Sequence, residues 1–195
     1  MHKCNVPKLK NTTWLFFALM ALSCNKIKYT ENHNATEAGI EKARFLELPP
    51  KNQIVVNTVK KYGPEISSTY EKAVCTEFVI QVLEKIQDLD KIDRNRIRII
   101  TDKSIQELLK SGSNIPKGVY FSLTEKGIGI AIDNKDEVCE GDFVQFWNGN
   151  WGHCGIVKSI SINDNEMELY SSSSTNGYGI QKFNVPEHAY FVRLK

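Results

Sequence analysis

The stretch from residue 141 to residue 157 constrains this chain more than any other. Phe143, Gln145 and Trp147 alternate with Val144 and Phe146, the period of two that marks a strand. Asn148, Gly149 and Asn150 follow. Asn and Gly tolerate the positive φ of a tight hairpin turn, so the chain is expected to reverse here. A second strand then starts at His153, with Ile156 and Val157 as its apolar residues. A histidine just past a turn stands at a sheet rim, where its ring can face a cleft. Far upstream, Cys75 opens a run in which Phe78, Val79, Val82, Leu83 and Ile86 keep helical spacing. Cysteine on a helix N-terminus, followed by histidine on a strand, can serve as nucleophile and base.

The 195 residues suffice for one domain with a sizeable core. Charged residues make up 25% and the formal net charge is +2, which gives no reason to expect a nucleic-acid partner. The five cysteines are Cys4, Cys24, Cys75, Cys139 and Cys154. Their odd number, with two in the leader, argues against a disulfide-dense scaffold.

The N-terminus reads as a processing signal. His2, Lys3, Lys8 and Lys10 form a basic region, and the apolar run from Trp14 to Leu22 is too short to span a bilayer. It ends in Ala21-Leu22-Ser23-Cys24, which resembles the lipobox of bacterial lipoproteins, where the cysteine is lipidated. The expected division is a signal peptide over 1–23, a polar tether over 24–50 and a folded domain over 51–195. A short helix is expected near 37–46, ended by Pro49 and Pro50. The protein is therefore expected to be exported and lipid-anchored to a bacterial membrane, facing the periplasm.

Within the domain, Ile54, Val55 and Val59 predict a short helix closed by Gly63 and Pro64. The Cys75 helix follows. Residues 88–96 read as a charged surface connection, and Ile97, Ile99 and Ile100 as a short buried piece. Asp102 is expected to cap a helix carrying Ile105, Leu108 and Leu109, closed by Gly112. One more helix is predicted over 117–126, stopped by Gly127. Strands follow at 143–147, 153–160, 167–172, 179–183 and 190–194, with Asn163, Asp164 and Asn165 turning between the second and third. Helices first and strands second is an α+β plan, here with a five-stranded antiparallel sheet.

The chemistry available to such a pair is acyl transfer. A helix N-terminus favours the thiolate, and an imidazole in contact can take its proton. The Cys75 N–H could bind an oxyanion, and His153 could later protonate a leaving amine. Three motifs carry a resemblance: Cys75-Thr76-Glu77-Phe78-Val79, the strand opening at Gly141-Asp142, and Gly152-His153-Cys154-Gly155-Ile156-Val157. In this order they resemble the NlpC-type cell-wall peptidases and the related CHAP-like amidases. The resemblance covers about residues 62–194. It implies a papain-like fold and hydrolysis of amide bonds in peptidoglycan peptides. It implies a cysteine, a histidine and a third polar residue, with no metal or other cofactor.

Two positions depart from that pattern. Many members carry Asp immediately before the cysteine, where this chain has Val74. The third residue is usually His, Asn or Gln on the strand after the histidine strand. Here the choices are Tyr170, Ser172 and Asn176, of which Ser172 lies nearest the strand end. Trp147 and Trp151 flank the turn beside His153 and could form a platform for substrate. Tyr62 and Tyr70 precede the nucleophile, and Tyr70 is taken as a substrate contact. Alternation points Cys154 away from the face of His153, into the core. A hairpin centred near Asn150 would not set Cys139 opposite Cys154 for a disulfide, and Cys139, His153 and Cys154 lack a zinc-ligand spacing. A catalytically inactive relative, binding wall fragments or a protein partner, is the alternative reading. The expected partners are a peptidoglycan peptide and the membrane, through Cys24; any inhibitor protein is unknown. Replacing Cys24→Ser should move the protein from the membrane fraction to the soluble fraction. Equal fractionation of wild type and variant would sink the anchor.

Overall fold

A computed structural model describes residues 48–195. Cys24, the signal peptide and the helix expected near 37–46 lie outside the described residues. Five helices come first: α1 (Pro50–Ile66), α2 (Cys75–Glu84), α3 (Lys91–Arg98), α4 (Ile105–Lys110) and α5 (Gly118–Glu125). Six strands come after: β1 (Gly129–Ile132), β2 (Phe143–Asn148), β3 (Trp151–Ser161), β4 (Glu166–Ser173), β5 (Gly177–Asn184) and β6 (His188–Leu194). The protein is thus α+β, with the helices preceding an antiparallel sheet.

The helices differ from expectation where local signals compete. Pro50 does not end a tether; it opens α1, where its missing N–H has no partner to lose. Gly63 and Pro64 do not stop that helix, which continues to Ile66. Gly63 serves packing instead, since a Cβ there would run into the ring of Tyr178. The charged stretch expected as a connection contains α3. Its start is fixed by a capping box, with Asp93 N–H donating to Asp90 at 2.9 Å and Asp90 N–H to Asp93 at 3.1 Å. Asp93 is itself buried and tied to Lys126 at 2.6 Å. Ile97 is buried as expected, but Ile99 ends α3 in the left-handed region at φ 56, and Ile100 is left 67% exposed. Helix α4 begins after Ser104 rather than next to Asp102.

The sheet has six strands, not five, in the order β1-β6-β2-β3-β4-β5, and every neighbouring pair is antiparallel. The strand missed in the sequence is β1, four residues long and opened by a glycine. It gains its place through β6, from Gly129 opposite Leu194 to Ile132 opposite Phe191. The other five strands lie where alternation put them, each longer by one to three residues. The hairpin closes through Gly149 and Asn150, because Asn148 pairs with Trp151 and Gly149 takes φ +59.

Each strand divides its side chains between two cores. On the helix side, Phe143, Cys154, Ile156, Tyr170 and Val192 meet Val55, Phe78, Val82 and Leu123. On the other side, Val144, Phe146, Val157, Leu169 and Phe191 pack together. Phe183 of β5 lies 5.3 Å, centroid to centroid, from Phe146 of β2, although two strands separate β5 from β2. The sheet is therefore strongly curled, and it closes this second core on itself.

A buried carboxylate joins helix and sheet at one point. Asp142 is fully buried directly before β2 and accepts four hydrogen bonds at 2.8 Å: from Asn52 Nδ2, from Cys139 N–H and from two nitrogens of Arg193. Removing the guanidinium would leave a buried charge short of its partner, which costs about 3–5 kcal/mol. Arg193→Ala should therefore lower the unfolding free energy by that amount in urea titration. A loss within about 0.5 kcal/mol, as expected of a surface side chain, would refute the clamp.

Candidate active site

The N-terminus of α2 carries Cys75, the expected nucleophile. The first intrahelical bond runs from Phe78 N–H to Val74 C=O at 2.8 Å, so the N–H groups of Cys75, Thr76 and Glu77 have no partner within the helix. Val74 provides no side-chain cap. Positive potential therefore collects beside the half-buried Cys75 thiol. The buried face of the helix, with Phe78, Val79, Val82 and Leu83, fixes this end against the sheet.

The sheet meets it at an open edge. Strands β3 and β4 pair only as far as Ile156 opposite Tyr170, so the residues of β3 before Ile156 have no partner on that side. The Cys154 N–H lies on this part of β3 and is among the groups that favour the Cys75 thiolate. Two side chains of the same edge add to it. The thiol of Cys75 is lowered to about 4, first by the Cys154 thiol, against burial, and then by hydrogen bonding and charge from His153. Cys154 is fully buried, and its own thiol is pushed well up by the neighbouring sulfur and by burial. The expectation that Cys154 belongs to the core holds, but no local pattern marks it as a neighbour of Cys75.

His153 is buried, with its ring among Phe146, Trp151 and Phe183. Trp151 is 51% exposed and stacks on the imidazole at 5.8 Å with the planes 7° apart. Its Nε2 is buried and meets no hydrogen-bond partner among the described residues. None of the groups expected to orient it is bonded to it. Ser172 Oγ lies 2.7 Å from Ser67 Oγ, on the loop before Cys75. Tyr170 donates to Glu140 at 2.7 Å, and Asn176 is exposed in the turn before β5. Ser172 is thus a brace between β4 and the loop before Cys75 rather than a partner of the imidazole.

Cys75 and His153 line one cleft of about 300 Å³, together with Thr76, Gln145, Trp147 and Gly152. Trp147 is held by its Nε1–H, which donates to Pro116 C=O at 2.7 Å, and it lies over Gly152, where a Cβ would reach within 2.5 Å of the ring. Arg98, Ile99, Thr101, Lys103 and Ile105 form the rest of the wall. Arg98 is bound to Glu77, which leaves Lys103 as the cation facing the cleft. Tyr70 stands near enough that the negative charge of Cys75 adds to burial in raising its phenol. The structure therefore gathers Cys75, His153, Trp147, Trp151 and Tyr70 and leaves Ser172 engaged elsewhere. Cys139 is also apart: Asn52 and Arg193 both donate to its sulfur, and all three described cysteines are free thiols.

No protein-family model matches the chain, and a search of curated proteins finds no match.

A thiol lowered to about 4 is a thiolate at every pH well above that value. Alkylation of Cys75 by iodoacetamide should accordingly reach its plateau below neutrality and decline only as pH falls towards about 4. Losing a group that favours the charged form raises the pKa, so Cys154→Ala and His153→Ala should each shift the midpoint upward, by at least about one pH unit. A midpoint near that of an ordinary thiol in the wild type would overturn the arrangement, as would an unmoved midpoint in Cys154→Ala.

Proposed function

We propose that this protein is an exported cysteine hydrolase that cuts an amide bond in peptidoglycan peptides. The observation that carries the reading is Cys75 at the free N-terminus of α2, in one cleft with His153, where its surroundings favour the thiolate. The motifs around Cys75, Asp142 and His153, which resemble the NlpC-type peptidases, support the substrate class and a papain-like arrangement.

The reaction follows from the groups present. The Cys75 thiolate attacks the carbonyl carbon, and the N–H of Cys75 stabilises the oxyanion that forms. His153 gives a proton to the nitrogen as the C–N bond breaks, leaving an acyl-enzyme. Water then gives a proton back to His153 as it attacks the thioester, which releases the acid and restores the thiolate. Trp147 bounds the cleft beside His153, Trp151 stacks on the imidazole, and Lys103 favours a substrate that carries carboxylates.

One observation favours a second reading. The unpartnered Nε2 of His153 lacks the orienting group on which such a base depends, as in an inactive relative that binds wall fragments without cutting them. Digestion of purified muropeptides, followed by mass spectrometry, separates the two. Wild type should give new fragments and Cys75→Ala none, at nearly unchanged stability, because the truncation is small and lies at a helix end. Cleavage by Cys75→Ala, or cleavage that is lost only in Cys154→Ala, would overturn the assignment. Tryptophan fluorescence that responds to fragments without any cleavage would establish the binding protein instead.

A further inference from the structure

Gln145 is the group in the cleft that the proposed reaction does not use. It sits on β2 directly opposite Cys154 and lines the same cleft as Cys75 and His153. The residue is 2% exposed, and Oε1 is buried with no hydrogen-bond partner among the described residues. Its Nε2 donates to Phe146 C=O at 3.3 Å, a long bond. Carboxamides left like this inside a protein are costly, and a buried acceptor without a donor commonly marks a place that a ligand fills.

The backbone around Gln145 packs closely on its carboxamide. Gly118 takes φ +44, and a Cβ there would stand 2.7 Å from Oε1 and 3.1 Å from the Ile99 side chain. Ile99, a β-branched residue, holds the unfavourable left-handed conformation at φ 56 and lines the cleft beside Gln145. Gly118, at a positive φ that glycine favours, thus leaves room for the Gln145 oxygen itself, and Ile99 is held in a strained conformation beside it.

We infer that Gln145 is a substrate-binding residue whose Oε1 accepts the N–H of the substrate's own peptide backbone, next to the carbonyl that Cys75 attacks. The inference rests on Cys75 as the nucleophile. It names the ligand chemistry as a secondary amide with its N–H intact. Esters, N-methyl amides and proline at that position lack the donor. A site built around a hydrogen bond rejects a ligand that cannot make it more strongly than an apolar site rejects a missing methylene.

Two probes separate this role from simple packing. Acetyl-alanine chloromethyl ketone carries the N–H beside its reactive group; its N-methyl twin does not. In both, the Cys75 sulfur displaces chloride and forms a thioether, so the ratio of the two inactivation rates reads the N–H contact alone. Wild type should prefer the N–H probe by about tenfold or more. Gln145→Leu should abolish the preference, and Gln145→Glu, which keeps an acceptor, should retain it. Gln145→Met replaces the leucine variant if that one does not fold. A wild-type ratio near one would overturn the inference, as would a preference that persists in Gln145→Leu and Gln145→Met. If neither probe labels Cys75, the nucleophile falls and Gln145 falls with it. If the ratios behave as expected but wall peptides stay uncut, the peptidoglycan substrate is wrong and the Gln145 contact stands.

Discussion

A charge buried without water must be satisfied by its neighbours, and in this protein that charge is the carboxylate of Asp142. Its partners come from α1 through Asn52, from the segment before β2 through Cys139, and from β6 through Arg193. One group therefore joins three parts of the chain that are distant in sequence. Backbone bonds beside it fix the start of the hairpin: Gly141 N–H donates to Val157 C=O at 2.9 Å, and Val157 N–H to Asp142 C=O at 2.7 Å. With that end fixed, the period of two along β2 decides that Phe143, Gln145 and Trp147 share the helix side. The cleft at the far end of β2 depends on the register set at the near end.

The site itself results from a strand that ends its pairing early. Had β4 continued beside β3 past Ile156, the Cys154 N–H would have been consumed by the ladder. The edge is free instead, and the unpaired helix N-terminus of α2 is placed against it. Two sets of unsatisfied donors then converge on one sulfur. Ser172 and Ser67 hold the departing strand to the loop before Cys75, which explains why a serine sits where an imidazole partner was expected.

The positions of the pair were legible in the sequence because they depend on local periodicity. Helical spacing after Cys75 and alternation before His153 each need only about ten residues to read. What was not legible depends on contacts across the chain. The capping box of Asp90 and Asp93 turned a charged stretch into a helix, and pairing with β6 made a strand of four weak residues. Cys154 was read as core, and it is; its contact with Cys75 follows from where β4 departs, which no local pattern records. Gln145 was seen only as a strand residue. A buried glutamine in an otherwise apolar alternation was the signal that could have marked it.

The contact between the two sulfurs also bears on which of them carries the charge. Two thiols this close do not ionise independently, because the first thiolate opposes the second through its charge and through the hydrogen bond it accepts. Cys75 has the free helix N–H groups and partial access to the cleft, while Cys154 is enclosed in the helix-side core. Both differences favour the charge on Cys75. Cys154 stays protonated and donates to it, so its ionisation is pushed up as that of Cys75 is pushed down. A neighbouring thiol is in this way a fixed donor rather than a competing nucleophile. It does for the sulfur part of what an oriented imidazole does elsewhere, which is how a thiolate can persist beside a histidine whose far nitrogen meets no partner.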